Sequence, residues 1–271
     1  MGLKEKTEVQ FAVNRYHHDQ QYVSSSIFLS VIIPAYNEEN RIGKTLDATI
    51  RYLAGSDHRF ELIVVDDGSM DETVSVVKSK LAGLDDARLI SYAPNRGKGN
   101  AIRRGVMASK GQYAMFMDAD LSTPVEEVER AFPYLMDGYD IVIGSRALPD
   151  SQILEHQPIY REKAGRIFKH LYQIMVGMNG FQDTQCGFKV FSGDLARRIF
   201  GLQRVDGFMF DIETLFIARK LGCNIKEMPV KWANSPESRL RIVRDTARMF
   251  KDLLLIRFNH RDLTEDGNLP L

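Results

Sequence analysis

A strand that runs into two carboxylates constrains this chain more than any other stretch of its sequence. Residues 113–117 are apolar and β-compatible, and Asp118 and Asp120 follow them directly. Carboxylates at the end of a buried strand are costly unless they bind something, and ligands bind at the carboxyl ends of strands in α/β sheets. Two acids one residue apart can hold Mg²⁺, which completes its shell with water and phosphate oxygens. The alternative is a polar turn in which Ser122 or Thr123 caps the next helix.

Five β-compatible segments alternate with helical patterns in the first half of the chain. The connections are short, and the strands end in polar or small residues. Such alternation is typical of a doubly wound, mostly parallel sheet with helices on both faces, the Rossmann-like α/β class. The predicted strands are residues 28–36, 60–66, 88–92, 113–117 and 140–146.

The second half of the chain has a looser pattern. Its predicted elements are a loop at 148–158, a helix at 160–176, a strand at 188–191, a short helix from 194, a helix that the segment 207–213 leads through 221, and a strand at 224–232. Pro229 lacks an N–H and therefore predicts that the last strand lies at a sheet edge. A basic amphipathic helix is predicted at about 238–258. It can pack on the core with a solvated basic face or lie on an anionic membrane surface, and the sequence leaves both open.

Charge and cysteine content exclude several classes of protein. The 271 residues include 36 Lys and Arg against 36 Asp and Glu, so no basic excess favours a nucleic-acid partner. Cys186 and Cys223 form neither a disulfide framework nor a Cys-x-x-Cys pair, which fits a reducing, cytoplasmic compartment. The six histidines lack metal-ligand spacing, which argues against zinc.

The distribution of apolar residues bears on membranes and on domain organisation. No apolar run reaches the roughly 20 residues of a membrane span, and the N-terminus has no apolar core like that of a signal peptide. We therefore expect no transmembrane segment, with peripheral membrane contact left open. The length suits one α/β domain at 27–260, with a flexible arm at 1–26 and a tail at 261–271.

Three further strand ends have residues suited to a nucleotide. Tyr36, after the first strand, can stack on a base, and Asp66 and Asp67, after the second, can accept hydrogen bonds from ribose or base. Arg146, after the fifth, can bind phosphate as a rigid fork. Taken singly, each has a plain alternative, namely an ordinary turn, a helix cap or a surface ion pair.

Two other groups add to these strand ends. Lys98, in the glycine-rich turn 95–99, brings a cation to a helix N-terminus and suits phosphate, although the turn is neither a P-loop nor a dinucleotide fingerprint. Asp211 and Glu213 follow an aromatic run. One can be a general base or a partner of the metal site, and either can instead cap a helix or face solvent. Coincidence explains one such group well and all of them poorly, so the sequence favours a site for a nucleotide and a metal.

Four motifs resemble those of the inverting GT-A glycosyltransferases that use nucleotide sugars. They are Val31-Ile-Ile-Pro-Ala-Tyr-Asn-Glu-Glu39, Val65-Asp-Asp-Gly-Ser-Met-Asp-Glu-Thr73, Asn95-Arg-Gly-Lys-Gly99 and Met117-Asp-Ala-Asp120. Four others resemble the dolichyl-phosphate β-glucosyltransferases, relatives of the dolichyl-phosphate mannose synthases. They are Gly144-Ser-Arg-Ala147, Asp183-Thr-Gln-Cys-Gly-Phe-Lys189, Phe210-Asp-Ile-Glu213 and Lys251-Asp-Leu-Leu-Leu-Ile-Arg257.

The resemblance extends from about residue 29 to residue 258 and implies a GT-A fold, UDP-glucose as donor, a polyprenyl phosphate as acceptor and Mg²⁺ or Mn²⁺ as cofactor. It implies that the metal ligands are Asp118 and Asp120. It implies donor contacts from Pro34, Ala35, Tyr36, Glu38, Asp66, Asp67, Lys98, Asp118 and Ala119. It implies acceptor-phosphate contacts from Arg146, Arg161, Ser238 and Arg239. The candidate catalytic residues are Asp120, Arg146, Asp211 and Glu213.

The resemblance leaves the acceptor and its access open. Eukaryotic members of the family have an N-terminal membrane anchor that residues 1–26 do not resemble, so we expect a peripheral enzyme on the cytoplasmic face of a membrane. The alternative is another sugar, such as mannose, or a non-lipid hydroxyl acceptor. A phosphate monoester has a second pKa of about 6 and is already nucleophilic at pH 7, whereas a hydroxyl acceptor needs a general base.

Overall fold

The structure is a computed structural model that describes residues 26–155, 158–235 and 242–263. Up to residue 145 the elements are β1 (Leu29–Ala35), α1 (Ile42–Ala54), β2 (Phe60–Asp66), α2 (Thr73–Leu81), β3 (Ala87–Ser91), α3 (Lys98–Ala108), β4 (Tyr113–Phe116), a 3-10 helix (Val125–Arg130), α4 (Phe132–Met136) and β5 (Ile141–Ser145). They are followed by β6 (Gln152–Glu155), α5 (Ile159–Val176), β7 (Lys189–Ser192), α6 (Gly193–Leu202), α7 (Phe210–Lys220), β8 (Ile225–Pro229), β9 (Lys231–Ala233) and α8 (Ile242–Asn259).

The strands of the described residues form one large sheet and one small sheet. The large sheet has the order β3-β2-β1-β4-β7-β5-β8, and β6 and β9 pair in the small one. Within the large sheet, β7 is antiparallel to both β4 and β5, and the other neighbours are parallel. The carboxyl ends of β1, β2 and β4 therefore meet at one edge, as the alternating pattern of the sequence predicts.

Helices cover both faces of the large sheet, and side chains of the strands alternate between two apolar clusters. In β1, Val31 and Ile33 pack in the cluster beneath α1, α2 and α4, while Ile32 packs in the cluster beneath α3 and α5 to α8. Because both faces are buried, β1 and β2 are mostly apolar, and their buried polar side chains Ser30 and Glu61 are hydrogen-bonded to each other at 2.6 Å. The predicted mostly parallel α/β class with helices on both faces is confirmed.

Three local predictions need correction. The loop predicted at 148–158 contains β6, and the strand predicted at 224–232 is divided, because β8 stays in the large sheet while β9 leaves it to pair with β6. Pro229 ends β8, which lies at the sheet edge as expected. The helix expected after Ser122 and Thr123 is a 3-10 helix with Pro124 at its cap position and no side-chain cap.

The C-terminal helix α8 packs on the core, as one of its two alternatives predicts, and it also exposes apolar side chains. Leu253 and Ile256 are fully buried in the core. Phe250, Leu254 and Phe258, at intervals of four residues, are 45%, 54% and 63% exposed, so they form an apolar stripe on one face of the helix. None of the helices in the described part of the chain has the length and apolar composition that crossing a membrane requires.

The predicted domain boundaries stay predictions. Residues 1–25 and 264–271, which contain most of the predicted arm and tail, lie outside the described residues. The same holds for Ser238 and Arg239.

Candidate functional site

The site is built at the sheet edge where β1, β2 and β4 end. Pro34 and Ala35 of β1 pair with Val65 and Asp66 of β2, and the N–H of Asp67 donates to the Ala35 carbonyl at 2.8 Å. The register therefore brings the Pro34–Glu38 and Asp66–Asp67 motifs, separated by some thirty residues, into direct contact.

The two acids after β2 are buried and hold neighbouring loops. Asp66 accepts from the Ser69 N–H through Oδ1 at 3.1 Å and from the Ser91 hydroxyl through Oδ2 at 2.8 Å. Asp67 accepts from the backbone N–H groups of Arg96 and Gly97 at 2.8 and 2.7 Å. Asp67 Oδ2 also accepts from the Asn95 side-chain amide at 2.7 Å. Both carboxylates thus fix the loops at this edge, and the two oxygens of Asp66 and Oδ1 of Asp67 retain further acceptor capacity.

The loop after β1 is held against the start of α2. Asn37 has a left-handed backbone with φ of 54°, and its N–H donates to Ser69 Oγ at 2.9 Å while its Oδ1 accepts from the Met70 N–H at 2.8 Å. The Glu38 N–H donates to Thr73 Oγ1 at 2.7 Å. These bonds leave the Tyr36 side chain half-buried at the rim, where an aromatic ring can stack on a base.

The glycine-rich turn fits tightly against a later part of the chain. Gly97 has φ of 118°, and a Cβ there would lie 2.4 Å from the carbonyl oxygen of Asp206. A Cβ at Gly99 would lie 2.7 Å from the Val205 carbonyl oxygen. Only glycine is therefore accommodated at these positions, and the turn is fixed where α3 begins at Lys98.

Lys98 and Asp118 form the centre of the site. The Lys98 Nζ lies 2.5 Å from Asp118 Oδ1, which brings the glycine-rich turn to the end of β4. Partial burial alone would raise the pKa of Asp118, but the Lys98 ammonium outweighs it and holds this pKa below the ordinary value. Ala119, which follows Asp118, is anchored to α1, because its carbonyl accepts from the Thr45 hydroxyl at 2.6 Å.

The segment before β7 completes the surroundings of Asp118. A Cβ placed on Gly187 would lie 1.9 Å from Asp118 Oδ2, so the carboxylate packs on the bare Cα of this glycine. Because β7 is antiparallel, its first residue, Lys189, pairs with Phe116 at the end of β4. The Asp183–Lys189 motif therefore reaches the same edge as the donor motifs.

A buried ion pair lies behind Asp118. The Lys189 Nζ lies 2.5 Å from Asp211 Oδ1 and donates to the Cys186 carbonyl at 2.7 Å, and both side chains are buried. Burial raises the pKa of Asp211 above its ordinary value, although Lys189 opposes the shift. Asp211 is therefore neither a solvent-facing residue nor a simple helix cap, which corrects that alternative.

Arg146 is held in a fixed orientation at the end of β5. Its Nε and Nη2 donate to the two oxygens of Asp183 at 2.6 and 2.8 Å, and its backbone N–H donates to the same carboxylate at 3.0 Å. Burial alone would raise the pKa of Asp183, yet the guanidinium lowers it to about 2. The Arg146 guanidinium also lies 5.4 Å from the centre of the Trp232 ring.

Arg41 belongs to the site although no sequence motif indicated it. Its Nε and Nη2 donate to the carboxylate of Glu38, and its Nη1 donates to Ser235 Oγ at 2.6 Å and lies 3.7 Å from Asp120 Oδ2. Asp120 Oδ1 accepts from the Ser122 N–H at 3.0 Å. Glu38 and Asp120, which sequence motifs place far apart, are thus joined by one guanidinium.

Glu213 is not brought to this cluster, contrary to the expectation that grouped it with Asp211. Its carboxylate accepts from the backbone N–H groups of Arg204 and Val205 at 3.0 and 2.7 Å and lies 2.7 Å from His260 Nε2. Residues two apart on an α-helix point about 200° apart, so the two acids face opposite sides of α7. Glu213 therefore links α7 to the 204–205 segment and to the end of α8.

Of the four residues that the resemblance assigns to the acceptor phosphate, the structure describes two. Arg146 is in the cluster, Arg161 lies near the start of α5, and Ser238 and Arg239 lie outside the described residues. Their contacts with an acceptor stay predictions, as do the individual roles of the donor residues.

The chemistry of the Asp118 and Asp120 side chains fits a divalent cation. They are two carboxylates with exposed fractions of 31% and 18%, which leaves oxygens accessible from the cleft. The residues the structure describes contain no group of three or more His, Cys, Asp or Glu side chains arranged for a metal ion. A cation here would complete its shell with water and the diphosphate of a ligand, which is how Mg²⁺ is commonly held.

Comparison with known proteins identifies similar sequences across most of the chain. The family model described as glycosyl transferase family 2 matches residues 30–200. A dolichyl-phosphate β-glucosyltransferase of Dictyostelium discoideum is 35% identical over 247 residues, which cover 87% of this chain and 75% of that protein. The Homo sapiens protein of the same name is 36% identical over 245 residues, covering 86% of this chain and 75% of that protein.

A solved structure is similar in fold. Glucosyl-3-phosphoglycerate synthase from Mycobacterium tuberculosis, in complex with Mn²⁺, UDP and glucosyl-3-phosphoglycerate, superposes with a TM-score of 0.59 at 20% identity. The match covers 86% of this chain and 80% of that one. At this identity the likeness concerns the fold alone.

Proposed function

Because the chain belongs to glycosyl transferase family 2, we propose that it transfers glucose from UDP-glucose to dolichyl phosphate or a related polyprenyl phosphate. Family membership makes the chain a glycosyltransferase. The glucosyl donor and the polyprenyl acceptor are supported by the names of relatives that match more than four-fifths of its length. The structural observation that supports the proposal most is the contact of Lys98 with Asp118 at the edge where β1, β2 and β4 end.

The donor nucleoside would lie over the ends of β1 and β2. Tyr36 at the rim would stack on the base, with Pro34 and Ala35 forming the floor. Asp66 and Asp67 are buried and keep acceptor capacity for a ribose hydroxyl or a base N–H. Glu38 would contribute to this side by holding the loop after β1, through the bond from its N–H to Thr73.

The donor diphosphate would lie between the start of α3 and the Asp118–Asp120 pair. The partial positive charge of a helix N-terminus and the Lys98 ammonium both favour a negative charge there. Asp118 and Asp120, with the Ala119 backbone between them, are the residues that would hold Mg²⁺ or Mn²⁺. A metal ion bound there would stabilise negative charge on the departing UDP.

The acceptor phosphate would be met by Arg146 on the other side of Asp118. Asp183 holds Nε and Nη2 of Arg146 and so fixes the plane of the guanidinium, and the remaining N–H groups on Nη1 and Nη2 are the ones that would donate to a phosphate group. Arg161, Ser238 and Arg239 are proposed to add positive charge or hydrogen bonds. The phosphate oxygen attacks the anomeric carbon opposite the departing UDP, which inverts the configuration.

Base catalysis is not required of this site if the acceptor is a phosphate. A phosphate monoester is largely ionised at pH 7, since its second pKa is about 6. A hydroxyl acceptor would need a base, and of the two candidate acids only Asp211 lies in the cluster. Its ion pair with Lys189 instead suits a role in orienting the Cys186–Gly187 backbone on which Asp118 packs.

A membrane surface is the proposed place of reaction, because a polyprenyl acceptor resides there. The apolar stripe of Phe250, Leu254 and Phe258 on α8 is exposed, and Lys251 and Arg257 beside it are exposed and basic. Such a face suits an anionic lipid surface. We propose peripheral binding to the cytoplasmic face of a membrane by a single catalytic domain at 27–260.

The experiment that tests this function measures transfer of labelled glucose from UDP-glucose to polyprenyl phosphate in detergent. It compares Mg²⁺, Mn²⁺ and EDTA, and it compares Asp120→Asn with Asp137→Asn, a matched change at an exposed position. We expect metal-dependent label in an acid-labile, alkali-stable lipid, at least 100-fold less in Asp120→Asn and unchanged in Asp137→Asn.

Two other outcomes would redirect the assignment. Metal-dependent release of UDP without labelled lipid would support the donor site and contradict the polyprenyl phosphate acceptor. Labelling from GDP-mannose in preference to UDP-glucose would support that acceptor and contradict glucose as the transferred sugar.

A further inference from the structure

Arg41 provides a fixed positive charge beside the Asp-x-Asp pair of Asp118 and Asp120. Two of its nitrogens donate to the Glu38 carboxylate, so the planar guanidinium is held by a bidentate pair. Its third nitrogen, Nη1, donates to Ser235 Oγ at 2.6 Å. The side chain is only 17% exposed, and these partners fix its orientation.

The contact of Arg41 with Asp120 is electrostatic. Nη1 lies 3.7 Å from Asp120 Oδ2, beyond hydrogen-bond distance and within the range of an ion pair. Asp120 Oδ1 is meanwhile oriented by the Ser122 N–H. Arg41 therefore lowers the effective negative charge of Asp120 without occupying its carboxylate.

Asp118 has the same kind of partner on the other side of the pair, because the Lys98 Nζ lies 2.5 Å from its Oδ1. The charges of Lys98, Arg41, Asp118 and Asp120 sum to zero, and Glu38, which is paired with Arg41, adds one negative charge. A bare divalent cation approaching Asp118 and Asp120 is attracted by their carboxylates and repelled by Lys98, 2.5 Å from the pair, and less strongly by Arg41, at 3.7 Å.

A diphosphate changes this balance. Its negative oxygens are attracted to Lys98 and Arg41, the two cations that oppose the metal. Binding of the diphosphate thus offsets their repulsion and adds oxygen ligands for the cation at the same time. Metal and diphosphate should therefore bind with strong positive coupling, and the coupling is reciprocal.

We propose that Arg41 is a positioning residue that acts through Asp120: its fixed charge makes binding of the divalent cation depend on the diphosphate. The inference rests on the part of the proposed function that assigns Asp118 and Asp120 to a metal ion. It extends that function to a residue outside the recognised motifs and assigns Glu38 the role of fixing the guanidinium.

The test measures free Mn²⁺ by electron paramagnetic resonance during titration of the purified protein, with Mn²⁺ alone and with saturating UDP. UDP is expected to tighten Mn²⁺ binding at least tenfold in the wild type. Arg41→Gln should bind Mn²⁺ alone at least fivefold more tightly and gain less from UDP. The matched control is Arg51→Gln, at an exposed arginine in the last turn of α1, the helix that follows Arg41, and it should behave as the wild type.

Two further variants distinguish the effect of Arg41 on Asp120 from its effect on Glu38. Removing Arg41 also releases the Glu38 carboxylate, which can itself bind Mn²⁺, so Arg41→Gln is also combined with Asp120→Asn. The added Mn²⁺ affinity should disappear in that double variant. Glu38→Gln removes the carboxylate that is paired with Arg41, so more of the positive charge of Arg41 acts on Asp120 and binding of Mn²⁺ alone should weaken. This variant also tests the inference if Arg41→Gln does not fold.

Three results would overturn the inference: unchanged Mn²⁺ affinity in folded Arg41→Gln, tight binding that persists without Asp120, or tighter binding in Glu38→Gln. None of these measurements uses an acceptor or a transfer step. A protein that transfers glucose but binds Mn²⁺ independently of Arg41 would contradict this inference alone. A protein that shows the Arg41-dependent coupling but transfers no glucose would contradict the proposed function alone.

Discussion

The carboxylate of Asp118 packs on Gly187 so closely that a methyl group at that position would lie 1.9 Å from Oδ2. The two residues come from different motifs, one at the end of β4 and the other before β7. Their contact fixes the direction in which Asp118 presents its oxygens to the cleft.

Replacing Gly187 by alanine should displace Asp118 and impair the reaction more than the fold. A displacement of about 1 Å at a reacting centre can lower the rate about 100-fold. We expect a loss of that order in kcat for Gly187→Ala, measured as glucosyl transfer. Gly201→Ala is the control, because no atom lies within 4 Å of a Cβ there. Equal activity of the two variants would contradict the positioning of Asp118 by Gly187.

Removing one partner of the buried Lys189–Asp211 pair should destabilise the protein. An uncompensated buried charge typically costs about 3–5 kcal/mol. Lys189→Met should therefore lower the free energy of unfolding in urea by about that amount. Lys189→Met combined with Asp211→Asn should recover part of the loss. Asp211→Asn is measured alone as well, and a loss in the double variant that equals or exceeds the sum of the two single losses would show that the pair is not coupled as described.

Stability should depend on pH through Asp183. Its pKa is lowered from 3.8 to about 2 in the folded protein, so the ionised form contributes stability above pH 3.8 that is lost as pH falls towards 2. The shift corresponds to about 2 kcal/mol. Asp183→Asn should flatten the pH dependence of the unfolding free energy between about pH 4 and 2. Asp137→Asn, at an exposed position, should leave it unchanged.

The acceptor class should be visible in the variant Asp211→Asn. Asparagine can still accept from Lys189, and an ionised phosphate acceptor needs no base, so we expect Asp211→Asn to lose less activity than Asp120→Asn. Both rates are measured with polyprenyl phosphate at pH 7. If Asp211→Asn abolishes transfer in a protein that stays folded at the assay temperature and still binds UDP, Asp211 acts as a base and the acceptor is a hydroxyl.

The apolar stripe of α8 should determine membrane binding. Burying one large apolar side chain contributes about 1.5–3 kcal/mol, so changing Phe250, Leu254 and Phe258 to serine should lower vesicle binding more than tenfold. The measurement is sedimentation with vesicles that contain anionic lipid. Leu84→Ser with Met107→Ser, also exposed apolar positions, is the control. Concentration-dependent dimerisation lost in the triple serine variant, without vesicle binding, would assign the stripe to a second copy of the chain.

The sequence predicted the fold and the strand-end motifs because both depend on local pattern. Strands buried on both faces are continuously apolar, and the carboxyl ends of parallel strands share one edge. That rule alone brought Pro34, Asp66 and Asp118 together.

The partners of these motifs were not predictable in the same way. Arg41 donates to Ser235, 194 residues further along the chain, and appears in the sequence as an ordinary arginine before a helix. Asp183 and Arg146 pair across 37 residues. No periodicity encodes such contacts, since they depend on how the second half returns to the sheet. The misplacement of Glu213 is different, because helical geometry alone separates it from Asp211.

The antiparallel direction of β7 has a consequence for how such a site can diversify. A parallel strand presents its end at the ligand edge, whereas β7 presents its beginning there, so the Asp183–Gly187 segment enters the cleft ahead of its strand. The residues at the ends of β1, β2 and β4 and this incoming segment are far apart in the sequence and meet at Asp118. Substitutions in the loop before β7 can therefore change the surroundings of Asp118 while the ends of β1, β2 and β4 keep their residues and their register.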